Sequence, residues 1–205
     1  MKTLIVLFLS LSSFAQSSIL QDGDLLFIDM DCGPLCDAIE AVTDGYNGKD
    51  FSHMGMVYHR NDTLYIIEAA GTAVRLNTFD KFKASTTKPI LVGRLKKEYS
   101  QLIPKAIQFA LLQIGTPYDD EYVYDNGAYY CSELLHDAFL YANLGRPFFN
   151  LTPMTYKEPG TGKYFPAWVN YYKKLGKPIP EGLPGCNPGG ISKSDKIDIV
   201  ATLKN

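Results

Sequence analysis

Hydrophobic residues fall in short runs along the chain, and these runs predict a small sheet with helices beside it. Leu25 to Asp29 is an apolar run of strand length that follows a Gly-Asp turn. Two β-rich runs, residues 52–59 and 63–70, flank the polar turn at residues 60–62, which predicts a hairpin. Runs of similar character predict further strands at residues 74–76, 89–95 and 197–203.

Other segments place their apolar residues at helical spacing. Three of these predicted helices are residues 35–43, 99–114 and 165–175. A fourth runs from Ser132 to Tyr141, where apolar residues recur every three or four positions: Leu134, Leu135, Phe139 and Leu140. The residue before this run is Cys131, so the pattern predicts a helix that has Cys131 as its cap or first residue.

A cysteine at the start of a helix is a candidate nucleophile. The positive end of the helix dipole favours the thiolate, which is the form that attacks carbonyl groups in acyl transfer. Such chemistry also needs a base and a group that orients it. The predicted hairpin places His53 opposite residues 68–70, within reach of Glu68. A register slip of one residue would instead turn Glu68 to the other face, as a solvated strand residue.

Composition excludes several classes of function. The chain has 205 residues, of which 46% are hydrophobic and 20% charged, as is usual for one globular domain. Net charge is −2 and there is no Lys/Arg cluster, so no nucleic-acid partner is expected. No dinucleotide, phosphate-loop or zinc-protease motif occurs, so no cofactor or metal is expected. The three adjacent acids at residues 119–121 lack calcium-loop spacing and are predicted to be solvated.

Residues 1–16 have the pattern of a signal peptide. Lys2 supplies the positive start, residues 4–11 the short apolar core, and residues 13–16 a small-residue cleavage region. The expected mature product is a single domain, residues 17–205, that is secreted or periplasmic. No cysteine follows the cleavage region, so a lipoprotein anchor is not indicated, and no transmembrane segment is predicted.

The four cysteines add a constraint. In an oxidising compartment an even number of cysteines favours disulfides, but a catalytic Cys131 has to remain free. The expectation is therefore one bridge among Cys32, Cys36 and Cys186, with one spare thiol. A zinc site at Cys32 and Cys36 is the weaker alternative, because a second pair of ligands is missing.

Four short motifs, taken in order, resemble one group of enzymes. They are Ser52-His53-Met54-Gly55, Glu68-Ala69, Gly115-Thr116-Pro117-Tyr118-Asp119 and Tyr130-Cys131-Ser132-Glu133-Leu134. Together with the Gly23-to-Phe27 strand, they resemble NlpC-type papain-like peptidases. Because the cysteine follows the histidine, the order is similar to the circularly permuted YiiX/YaeF-like branch. The resemblance covers about residues 22–140, and Cys32 and Cys36 are no part of it.

The resemblance implies an α+β, permuted papain-like fold, with a small antiparallel sheet and the cysteine helix packed on one face. It implies a triad in which Cys131 is the nucleophile, His53 the base and Glu68 the group that orients the imidazole. Tyr118 and Tyr130 are both candidates for the second oxyanion donor or for the substrate wall. His59, at the hairpin turn, and His136, within the cysteine helix, are the rival bases.

The expected function is extracytoplasmic cleavage of an amide bond by a cysteine peptidase or amidase. Cell-wall peptides are the first substrate candidate because of the predicted location. A lipid or N-acyl-amino-acid amidase or acyltransferase is the alternative, and the aromatic residues near the cysteine would suit a lipid-like substrate. A non-catalytic envelope-binding module is the remaining hypothesis, in which Cys131 is oxidised or buried.

Overall fold

The computed structural model describes residues 18–30 and 32–204, so the predicted signal peptide at residues 1–16 lies outside the described residues. The strands are β1 (Leu25–Ile28), β2 (His53–Arg60), β3 (Thr63–Ala70), β4 (Ala73–Thr78), β5 (Ile90–Leu95), β6 (Thr152–Pro153), β7 (Pro184–Gly185) and β8 (Ile197–Leu203). The α-helices are α1 (Pro34–Glu40), α2 (Phe79–Lys83), α3 (Ile103–Leu112), α4 (Cys131–Ala142), α5 (Pro166–Leu175) and α6 (Pro188–Ser192). None of the helices in the described part of the chain is long and apolar enough to cross a membrane.

Six strands form one antiparallel sheet in the order β4-β3-β2-β1-β5-β8. The predicted small antiparallel sheet is confirmed, including β8 as an edge strand. The other two strands of the described residues, β6 and β7, form a separate two-stranded sheet.

The β2–β3 hairpin fixes the positions of the candidate base and acid. Arg60 pairs with Thr63 across a two-residue turn, and both turn residues, Asn61 and Asp62, have positive φ angles of 47° and 59°. Positive φ at both positions is the requirement of a type I′ turn, which Asn and Asp tolerate better than most residues. The turn sets the register, and this register brings His53 and Glu68 to one face of the sheet.

Helix α4 packs on the opposite face of the sheet from α2. Its Leu134, Leu135 and Phe139 are fully buried in one core cluster with Met54 and Met56 of β2. Burial of each such side chain contributes about 1.5–3 kcal/mol, so the apolar stripe of α4 holds Cys131 firmly at the sheet. The predicted packing of the cysteine helix on the sheet is confirmed.

The segment 99–114, predicted as one helix, is divided in two. A 3₁₀-helix covers Lys97–Leu102 and α3 begins at Ile103. Pro104 lies in the first turn of α3, and proline has no backbone N–H to donate to a preceding turn. The α-helix therefore starts at the proline instead of running through it.

Candidate active site

His53 lies at the first position of β2, where the strand meets the start of α4. Its side chain is buried, with the ring 5.8 Å from that of Phe82. Nε2 lies 2.7 Å from Oε2 of Glu68, and the thiol of Cys131 interacts with the same imidazole and raises its pKa. The imidazole therefore lies between the sulfur and the carboxylate.

Cys131 is the first residue of α4. Tyr130 before it has extended backbone angles (φ −90°, ψ 168°), so the chain turns into the helix at the cysteine. The thiol is free and the residue is buried. Backbone N–H groups in the first turn of a helix have no acceptor within the helix, so they are available to a negatively charged oxygen beside the sulfur.

Glu68 is held by more than the histidine. Its Oε1 accepts hydrogen bonds from Nε of Arg75 and from Nδ2 of Asn77, both 2.9 Å away. Arg75 pairs directly with Glu68 across β3 and β4, and Asn77 is two residues further along β4. Both donors keep the carboxylate ionised and oriented, which leaves Oε2 for His53.

Electrostatics favour a charged imidazole. Burial alone would lower the pKa of His53, but the hydrogen bonds and charges of Cys131 and Glu68 raise it to about 9. Burial alone would raise the pKa of Glu68, but His53 and Arg75 together hold that pKa below its ordinary value. Near neutral pH, His53 is thus an imidazolium between two groups that stabilise positive charge.

A cavity of about 270 Å³ opens beside Cys131 and His53. Its wall is mainly apolar and aromatic, and it includes Met30, Leu35, Ile39, Val42, Tyr118, Tyr122, Met154, Tyr156 and Trp168. Among the described residues that line it, none is Asp, Glu, Lys or Arg. The cavity can therefore accommodate an apolar group beside the thiol of Cys131.

The two tyrosines singled out from the sequence are both near the thiol but differ in their contacts. The hydroxyl of Tyr130 accepts a hydrogen bond from the backbone N–H of Cys186 at 3.1 Å, and so it supports the loop behind the site. Tyr118 lines the cavity with its hydroxyl 3.4 Å from that of Tyr122. Burial, then Tyr122 and Cys131, raise the pKa of Tyr118 well above its ordinary value, so Tyr118 keeps its proton.

Comparison with known proteins shows the family of this chain. The model of one family, described as permuted papain-like amidase enzyme, YaeF/YiiX, C92 family, matches residues 19–201. The chain belongs to this family. The fold class is that of a permuted papain-like enzyme, and the family is one of cysteine peptidases and amidases.

A solved structure shows the same fold. The crystal structure of yiiX from Escherichia coli O157:H7, described as a metalloprotein, has 25% sequence identity and a TM-score of 0.74. The match covers 90% of this chain and 98% of that chain. No protein of curated function matches significantly.

The cysteines of this YaeF/YiiX family member divide as expected. Cys32 and Cys36 form a disulfide, while Cys131 and Cys186 are free and buried. The predicted single bridge with one spare thiol is confirmed. Burial raises the pKa of Cys186 to about 12, so this second thiol remains protonated beside the Cys131 site.

The rival residues are occupied elsewhere. His59 is exposed, with Nδ1 2.7 Å from Asp22, and His136 bonds Asp137 within α4.

Glu133 accepts hydrogen bonds from the backbone N–H groups of Tyr130 and Asp125, so it caps α4. Burial raises the pKa of Glu133 to about 8 despite these bonds.

The prediction of solvated acids is wrong for Asp119. Its carboxylate is buried and accepts hydrogen bonds from the backbone N–H groups of Glu121 and Val123 and from the amide of Asn126. These three bonds close the loop between α3 and α4. The same loop carries Tyr122 into the wall of the cavity.

Arg75 and Asn77 were not identified from the sequence. An arginine on the strand that follows Glu68 was a usable signal, because opposite charges on neighbouring strands tend to pair. Assigning it required the β3–β4 register, which the short Gly71-Thr72 connection sets.

Proposed function

We propose that this YaeF/YiiX family member is an extracytoplasmic cysteine amidase with a Cys131-His53-Glu68 triad. The observation that carries the proposal is the position of the buried His53, which hydrogen-bonds Glu68 and interacts with the Cys131 thiol at the mouth of an apolar cavity. A thiol, an imidazole and an orienting carboxylate in line are the groups that acyl transfer through a thioester requires.

In the proposed reaction, the Cys131 thiolate attacks the amide carbonyl and the oxyanion forms beside the first turn of α4. The backbone N–H of Cys131 and the hydroxyl of Tyr118 donate to that oxygen. Imidazolium His53 then gives its proton to the leaving amine, and the thioester remains. Water, deprotonated by His53, attacks the thioester and releases the carboxylic acid and the thiolate.

The cavity favours one substrate class over the other. Cell-wall peptides carry several carboxylates, and no Lys or Arg is present among the described residues of the wall to bind them. An amide whose acyl portion is apolar, as in an N-acyl amino acid, matches the wall of Leu, Ile, Met and aromatic side chains. Cell-wall peptides remain the second candidate, because of the signal-peptide pattern at residues 1–16.

Two features support a location outside the cytoplasm. The first is the signal-peptide pattern, and the second is the Cys32–Cys36 disulfide, since disulfides persist mainly in oxidising compartments.

The E. coli relative is described as a metalloprotein, but the proposed reaction uses no metal. Within residues 18–30 and 32–204, no three His, Cys, Asp or Glu side chains are grouped so that they could hold a metal ion. Glu68 is directed to His53, Arg75 and Asn77 and not toward a centre shared with the thiol.

Comparing two substrates tests the proposal. The purified protein should release amino acid from an N-acyl amino acid with a medium-length acyl chain, and release amine from soluble cell-wall peptides much more slowly. Amine release is measured with a fluorogenic reagent, and Cys131→Ala serves as the control without a nucleophile. Equal rates for the native protein and Cys131→Ala on both substrates would exclude the proposed function, and faster cleavage of cell-wall peptides would favour the second candidate.

A further inference from the structure

One wall of the catalytic cavity is built by α1 and the residues around it. Leu35 and Ile39 of the helix line the cavity, and so do both half-cystines, Cys32 and Cys36. Val42, just after the helix, extends the same surface. The wall that would contact an apolar acyl group is thus one short segment of chain that carries a disulfide.

Interactions within α1 are too few to stabilise this helix by themselves. The helix has seven residues and begins after Gly33, which has a φ of 75° and provides no side-chain cap. An isolated helix of this length is unstable in water. Two features compensate for this: the Cys32–Cys36 disulfide, which spans the start of the helix, and the packing of Ala38 against Trp168 and Tyr172 of α5.

The disulfide closes a very short loop, because its cysteines are four residues apart. Loop-closure entropy grows with loop length, so a bridge this short stabilises the whole fold less than a long-range bridge does. Its main effect is local: it fixes where α1 starts and therefore where Leu35 and Ile39 lie. The disulfide acts on the shape of the cavity more than on global stability.

We propose that the Cys32–Cys36 disulfide is a specificity determinant of the enzyme. By fixing the start of α1, which packs on α5 through Ala38, it keeps the apolar wall in place and sets the preference for an apolar group beside the scissile carbonyl. This proposal rests on the proposed function, because that function is the reaction whose specificity the disulfide would determine. It can be tested independently of turnover, because electrophiles that alkylate Cys131 must enter the same cavity.

The experiment compares alkylation of Cys131 by iodoacetamide and by N-hexyl iodoacetamide, with the modified Cys131 peptide quantified by mass spectrometry. The native oxidised protein should react at least about tenfold faster with the hexyl reagent, since each buried methylene favours binding. The Cys32→Ser/Cys36→Ser double variant should lose most of this preference, with a much smaller change in the iodoacetamide rate. Leu35→Gln, which keeps the disulfide, should also reduce the preference.

Val169→Ser, an exposed position of α5 outside the cavity wall, is the matched control and should change neither rate. If the double variant does not fold by circular dichroism, native protein reduced with a phosphine provides the same comparison. An unchanged hexyl preference without the disulfide, or an equal fall in both rates, would overturn the inference. The proposed function fails separately, if His53→Ala leaves the iodoacetamide rate of otherwise native protein unchanged.

Discussion

Replacing His53 by alanine should lower the rate of amide hydrolysis by about 10²–10⁴-fold, the usual contribution of a general acid–base residue. It should also slow the alkylation of Cys131 by iodoacetamide at pH 6 by at least about tenfold. An ordinary cysteine, with a pKa of about 8.5, is less than about 1% thiolate at this pH. A smaller thiolate fraction slows alkylation, and the greater nucleophilicity of a more basic thiolate offsets part of this decrease in rate.

His59→Ala is the matched control for this prediction. His59 is exposed and its ring bonds Asp22, away from the cavity, so its removal should leave both rates within about twofold of native. Hydrolysis and alkylation are measured on the same preparations, with folding checked by circular dichroism. Native-like rates in folded His53→Ala would mean that the imidazole does not act on the thiol.

Replacing Glu68 by alanine should lower the free energy of unfolding at pH 7 by about 3–5 kcal/mol, the usual result of removing one partner of a buried ion pair. Glu68 is 2% exposed and holds His53, Arg75 and Asn77 together. Its removal leaves the buried, protonated His53 without its carboxylate. Hydrolysis should fall as well, because the imidazole then loses its orientation and part of its positive charge.

Urea denaturation measures this effect, and Arg75→Ala is the comparison. The Arg75 side chain is 49% exposed, so its removal should cost far less than the removal of Glu68. The pKa of Glu68 is lowered in the folded state, so its stabilising contribution is complete above about pH 4.5 and is lost as pH falls further. Similar losses of unfolding free energy in the two variants would contradict this role of Glu68. So would a loss of unfolding free energy in Glu68→Ala that does not become smaller as the pH falls.

The sequence was sufficient where local patterns decide the structure. The β-rich runs on either side of the turn at residues 60–62 predicted the hairpin and, in one of two registers, the meeting of His53 with Glu68; the structure has that register. The apolar spacing after Cys131 predicted a helix that begins at the thiol and packs on the sheet.

The sequence was insufficient where contacts depend on strand register or on the meeting of distant segments. The contact of Arg75 and Asn77 with Glu68 depends on strand register, which sets which residues face each other. The cavity wall joins α1, the Tyr118-to-Tyr122 loop and Trp168 of α5, and no single stretch of sequence carries a signal for it. Asp119 resembles a solvated acid until the loop folds around it.

The proposed triad requires His53 to be held as an imidazolium between Cys131 and Glu68, and an NMR titration of the histidine rings measures this charge. The chain has three histidines, so the His53 signal can be assigned by its loss in His53→Ala. We expect a titration midpoint of about 9 in the native protein and a lower midpoint in Cys131→Ala. A native midpoint at or below the ordinary histidine value of about 6.5 would contradict it.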